Sequence, residues 1–124
     1  MALQESGEMY LESILLLTQK NGHVRSIDIS EHMGYSKPSV SRAVGLLKKG
    51  NFIVVEPDGS ILLTETGRAH AEKILARHQV LTELLVSLGV DREIAAADAC
   101  RMEHVVSNET FEALRAHLLK HSRS

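Results

Sequence analysis

With 124 residues, 44% of them hydrophobic and 24% charged, the chain is long enough for a compact head with an appended helical unit and too apolar for a disordered tail. A single cysteine excludes an internal disulfide and no apolar run approaches the roughly 20 residues of a bilayer span, while the acidic N-terminal stretch lacks the basic start of a signal peptide, so a cytoplasmic protein is expected. The formal net charge of −2 excludes a uniformly basic nucleic-acid binder and leaves room for a local basic patch.

Residues 5 to 20 place Tyr10, Ile14 and Leu17, together with Leu11 and Leu15, at helical spacing, and Asn21-Gly22 ends that helix. Ser26 is expected to cap a short second helix stopped by Gly34. Ser36 opens a third, with Pro38 inside the first turn, where a missing N–H costs little. Val40, Ala43, Val44 and Leu47 form the buried stripe of this helix, and Arg42, Gly45 and Lys49 lie on its other side. The period then changes: FIVVE and SILLT are short, largely apolar runs around Pro57-Asp58-Gly59, which is a hairpin signal. Helical spacing returns at Thr64 and continues through Ile74, Leu81, Leu84 and Leu85 to Leu88, where Gly89 stops it. Asp91 caps a fifth helix reaching about Val105, and Ser107 or Asn108 caps a sixth. A mostly α chain is expected, with a winged helix-turn-helix over 1–68 and a helical unit over 69–124.

Two short helices joined by Gly34-Tyr35-Ser36, the second followed by a hairpin, form the pattern of a DNA-reading head. From Ser36 to Asn51 there are Lys37, Arg42, Lys48 and Lys49 and no acidic residue, a local excess within a chain of net negative charge. Lysine and arginine neutralise phosphates, while the small Ser39, Ser41 and Gly45 let a helix approach a major groove closely. The candidate DNA contacts are Ser36, Lys37, Pro38, Ser39, Ser41, Arg42, Lys48 and Lys49, and Arg42 is suited to a bidentate contact with guanine. A solvated helix with ordinary surface lysines is the plain alternative; the order of elements favours double-stranded DNA.

Near the other end, ACRMEHVVS holds the only cysteine. Cys100, Glu103 and His104 stand at i, i+3 and i+4, so on a helix a thiol, a carboxylate and an imidazole share one face, the spacing needed to offer three ligands to one ion. Met9 and Glu12 repeat the three-residue spacing on the first helix. Each residue alone has an ordinary reading: Met9 as core filler, Cys100 as an inert buried thiol, Glu103 as a solvated carboxylate, His78 as a surface or cap residue. His23, His32, His70, His117 and His121 have no supporting pattern.

Four stretches carry a resemblance that spans nearly the whole chain in order: EMYLESI (8–14), MGYSKPSVSRAVGLLKKGNFIVVEPDGSILLTETGR (33–68), RHQVLTELLVSLGV (77–90) and DACRMEHVVSNET (98–110). Together they resemble the diphtheria-toxin-repressor family of metal-dependent transcriptional regulators, including its manganese-transport-regulator branch. The resemblance implies a winged-helix DNA-binding head joined to a helical dimerisation and metal-binding domain, and a metal-gated repressor of metal-homeostasis genes. It implies a homodimer on palindromic operator DNA and no catalytic residue. It places the metal site on Met9, Glu12, His78, Cys100, Glu103 and His104, all residue types able to ligate a transition metal. On this reading the ion ties the first helix to the fourth and fifth.

The Met9 and Cys100 pair resembles the iron-responsive branch, whereas Glu12 is shared with the manganese-responsive branch, which has carboxylates in place of both sulfur ligands. Sulfur shifts preference towards softer or later metals, so Fe(II) is expected first and Mn(II) next. Two departures weigh against a second, ancillary site: Ala95-Ala96-Ala97 stands where some members carry a histidine, and Thr82 replaces a carboxylate one turn after His78. The sequence stops after the sixth helix, so the small C-terminal barrel of longer members is not expected. Rival readings are a winged-helix regulator responding to Cys100 oxidation or a small molecule, a metalloenzyme, and a pure interaction module; no HExxH pattern, nucleophile elbow or phosphate-binding glycine loop supports an enzyme.

Overall fold

The computed structural model describes residues 5–121. The order of elements is α1 (Glu5–Asn21), α2 (Ser26–Met33), α3 (Lys37–Lys49), β1 (Ile53–Val55), β2 (Ile61–Leu63), α4 (Glu65–Ser87), α5 (Arg92–Met102) and α6 (Asn108–His121). The chain divides into two compact units, residues 1–72 and 73–124, with α4 running through the boundary. None of the described helices is long and apolar enough to cross a membrane.

The N-terminal unit is a winged helix-turn-helix. Tyr10, Leu11, Ile14, Leu15 and Leu17 of α1 are all buried, as their spacing predicts. They pack with Val24, Ile29 of α2, and Val40, Val44 and Leu47 of α3 around one aliphatic core. Gly34 ends α2 in the left-handed region (φ 72°), its N–H donating to Ser30 O at 2.9 Å, and so turns the chain sharply into α3. One expectation fails here: Ser26 does not cap α2 but is its first residue. The cap position is Arg25, whose N–H donates to the Asp28 carboxylate at 2.8 Å. An aspartate in the first turn thus serves the helix start in place of a serine before it.

The hairpin pairs antiparallel with Ile53 opposite Leu63 and Val55 opposite Ile61. Ile53 and Ile61 face the core, and Ile61 N–H also donates to Val24 O at 2.7 Å, which stitches the wing to the segment between α1 and α2. At the tip, the N–H of Ser60 donates to Asp58 and holds that carboxyl below its usual range. Thr64 caps α4: its hydroxyl accepts from Gly67 N–H at 3.0 Å and donates to the Asn51 and Phe52 carbonyls. Gly67 meets the wing strand so closely that a Cβ there would lie 1.9 Å from Phe52 O.

The C-terminal unit holds the rest of α4 with α5 and α6. Leu81, Ala99 and Phe111 form its core, with Val80, Met102, Val106 and Leu114 packed against them. Asp91 caps α5 as predicted, accepting from Glu93 N–H at 3.2 Å, and Ser107 caps α6, accepting from Thr110 N–H at 3.1 Å. The fourth helix stops at Ser87, so Leu88 falls beyond it and is exposed.

A second expectation fails in this unit. Helix α5 ends at Met102, not near Val105, so Glu103 and His104 stand in the turn before α6. The β-branched pair Val105-Val106 is a poor continuation, and Ser107 already begins the cap of the next helix. Glu103 keeps helical angles (φ −61°, ψ −22°) and donates to Ala99 O at 2.9 Å, so its direction is still set by α5.

Candidate metal centre and DNA-contact helix

In the C-terminal unit three of the six expected ligands meet. The Glu103 side chain is fully buried and has an imidazole at each oxygen: Nδ1 of His78 lies 3.0 Å from Oε2, and Nε2 of His104 lies 3.2 Å from Oε1. The His104 side chain is enclosed as well, while its backbone reaches solvent. His78 comes from the middle of α4, where Thr82 donates its hydroxyl back to His78 O at 2.7 Å. Cys100 is half-buried on α5, one turn before Glu103, and forms no disulfide.

The other two expected ligands lie in the N-terminal unit. Met9 is half-buried and Glu12 buried on α1. Thioether, thiolate, carboxylate and imidazole together make a donor set for a first-row transition ion. The part that the C-terminal unit assembles also suits one: a carboxylate taken out of water is costly, and the imidazole at each of its oxygens is a residue type that ligates transition ions.

Two residues that the sequence did not mark stand out, one in each unit. Arg77, directly before His78, is buried; it donates from Nη1 to the carbonyls of Glu103 at 3.1 Å and Val106 at 2.8 Å, and from Nη2 to the Asn108 side chain. In the N-terminal unit, Nε2 of His70 lies 3.0 Å from Glu8 Oε2, and its ring meets Phe52 edge-on. No spacing rule flags either residue. A basic or imidazole side chain in an amphipathic helix is ordinary, and only the burial of Arg77 and the carboxylate contact of His70 make them informative.

The DNA-contact candidates all lie on one element. Ser36 is the N-cap of α3, its hydroxyl accepting from Ser39 N–H at 3.3 Å and donating to Ser39 Oγ at 2.9 Å. Lys37, Pro38, Ser39, Ser41, Arg42, Lys48 and Lys49 are all exposed, and so is Gly45. The basic side of the helix is therefore available to a polyanion, with its apolar stripe turned into the core.

A winged helix-turn-helix with a basic exposed third helix, followed by a helical unit that buries a carboxylate between two imidazoles, defines a metal-responsive DNA-binding regulator. Residues 2–61 match the N-terminal DNA-binding domain of the iron-dependent repressors, and residues 64–124 match their metal-binding and dimerisation domain. The chain belongs to this family of metal-dependent transcriptional repressors. It is 37% identical over 112 residues to the transcriptional regulator MntR of Escherichia coli O6:H1, covering 90% of this chain and 72% of that one. It is 33% identical over 123 residues to the diphtheria toxin repressor of Corynebacterium diphtheriae, covering 98% of this chain and 54% of that one. The structure of the manganese regulator SloR superposes with a TM-score of 0.81 at 26% identity, covering 96% of this chain and 55% of that one.

Proposed function

We propose that this repressor is gated by a divalent ion held by Met9, Glu12, His78, Cys100, Glu103 and His104, with Fe(II) the favoured metal and Mn(II) next. The observation that carries the reading is the buried Glu103 carboxylate with an imidazole at each oxygen. Its neighbours supply the selectivity. Two sulfur donors, Met9 and Cys100, soften a site that would otherwise be oxygen- and nitrogen-rich, which favours iron over manganese. A bound ion would supply divalent charge to residues whose own charges are otherwise held in a dry environment.

The chain's residues do the rest. Ser36, Lys37, Pro38, Ser39, Ser41, Arg42, Lys48 and Lys49 contact operator DNA, with Lys37, Lys48 and Lys49 on phosphates and Arg42 on a base edge. Two copies pair through the C-terminal domain and place two such helices on a palindrome. The protein acts on genes of metal homeostasis in the cytoplasm. The ion selects the arrangement of DNA-binding units that fits the operator, which requires only that it bind that arrangement more tightly than others.

The test is anaerobic binding to the DNA upstream of the protein's own gene and its neighbours, titrated with Fe(II) and then Mn(II), for wild type and Cys100→Ala. Metal should tighten binding about tenfold or more, a shift of about 1.4 kcal/mol, and the substitution should remove most of the gain for Fe(II). Binding that is equally tight with chelator present would rule out the metal switch.

A further inference from the structure

Glu103 and His104 occupy a turn, and a turn is a poor platform for ligands that must be held in place before an ion arrives. The carbonyl of Glu103, at the C-cap of α5, and that of Val106, in the connection to α6, lie on either side of His104 and outside any helical ladder. The buried guanidinium of Arg77 satisfies both from a single nitrogen, at 3.1 and 2.8 Å. Its second terminal nitrogen donates to the side chain of Asn108, the first residue of α6. Below it lies the ring of Phe111, with the guanidinium carbon 5.2 Å from the ring centroid. One planar side chain from α4 thus fixes the end of α5, the turn and the start of α6.

We propose that Arg77 is the positioning residue of the metal centre: it sets Glu103 and His104 in place through their backbone and touches neither the ion nor a side-chain ligand. The proposal rests on the reading of Glu103 and His104 as ligands. Geometry says why arginine is required. Two carbonyls and an amide oxygen met by the two terminal nitrogens of one side chain suit the rigid fork of a guanidinium, whereas a lysine ammonium is a single point charge on a flexible stem. The arrangement is also costly unless it serves something, because Nε of Arg77 is buried without a hydrogen-bond partner. Arg77 directly precedes His78, so the residue that holds the turn and the residue that faces Glu103 are fixed by the same turn of α4.

The experiment uses the full chain and Co(II) as a visible-absorbing probe. Wild type, Arg77→Lys, Arg77→Met and the control Leu114→Ala, which trims the same core away from the turn, are titrated anaerobically, and thermal unfolding of the metal-free proteins is recorded in parallel. The proposal expects both Arg77 variants to bind Co(II) about 10- to 100-fold more weakly, with an altered ligand-field spectrum. Leu114→Ala should lose thermal stability yet keep the affinity and spectrum of wild type. If Arg77→Met does not fold, Arg77→Lys decides alone. Wild-type affinity and spectrum in a folded Arg77 variant, or the same losses in Leu114→Ala, would overturn the positioning role while leaving the metal centre intact. Absence of Co(II) binding by wild type would overturn the metal-centre reading, and the positioning role with it.

Discussion

Glu103→Gln keeps the shape of the side chain and turns one carboxylate oxygen into an amide group. In the metal-free protein this trades a buried charge for a buried neutral group, so lost attraction to His78 and His104 is offset by a smaller desolvation cost. The unfolding temperature should therefore change little. Metal affinity should fall by at least the roughly 10- to 100-fold that even indirect changes around a metal cost, because an amide nitrogen is no ligand and the remaining oxygen is uncharged. Parallel calorimetric melts and metal titrations check both halves; a large loss of melting temperature with unchanged metal affinity would make Glu103 a structural residue. The candidate ligands stand out in the sequence because ligand chemistry admits few residue types, but the helical spacing that groups Glu103 and His104 with Cys100 does not carry over, since α5 ends at Met102. Arg77 was not legible: nothing distinguishes a buried arginine from an exposed one until the turn that it holds is seen.

Two glycines show how an element's surroundings decide the sign of the same substitution. Gly45 is exposed in the interior of α3 with nothing within 4 Å of an added Cβ. Gly45→Ala should stabilise the helix by about 0.5–1 kcal/mol through reduced backbone entropy in the unfolded chain. It should nonetheless weaken operator binding, since the added methyl group stands on the side of α3 that carries Arg42 and Lys49. Gly67→Ala, by contrast, sets a Cβ 1.9 Å from Phe52 O, where neither side of the contact is a flexible side chain. A cost of about 3 kcal/mol or more is expected. Circular-dichroism melts of both variants, with a DNA-binding isotherm for Gly45→Ala, test the contrast. Equal melting temperatures for the two would mean that α4 and the wing do not meet as described. The helix periods and the hairpin were plain in the sequence, because apolar spacing reports which side of each element is buried. Several element ends were as well, at Asn21, Gly34, Ser36 and Asp91, but two were not. Ser26 and Val105 failed as boundaries because each end was decided by a partner outside the periodic pattern: the Asp28 carboxylate for α2, and the cap at Ser107 for α6.

At the scale of the whole molecule, a net charge of −2 coexists with an α3 that carries four basic residues and no acidic one, so attraction to DNA is local. Each phosphate neutralised should contribute a slope of about −0.9 to the dependence of log affinity on log salt. If the ion works by selecting an arrangement of DNA-binding units, both metal-loaded and metal-free protein reach DNA through the same lysines and arginine once bound. Metal should then raise operator affinity without greatly changing the slope, and should raise affinity for unrelated duplexes much less. Thermodynamic linkage adds a stricter requirement: whatever factor metal contributes to operator affinity, operator must contribute to metal affinity. A tenfold effect in one direction therefore predicts a tenfold effect in the other, measurable by titrating metal into the protein with and without an operator duplex under anaerobic conditions. Equality of the two factors is expected for a gate of this kind. A metal effect on DNA binding that scales with salt in the same way as bulk divalent charge, and that operator does not return, would assign the metal to nonspecific screening of the DNA instead.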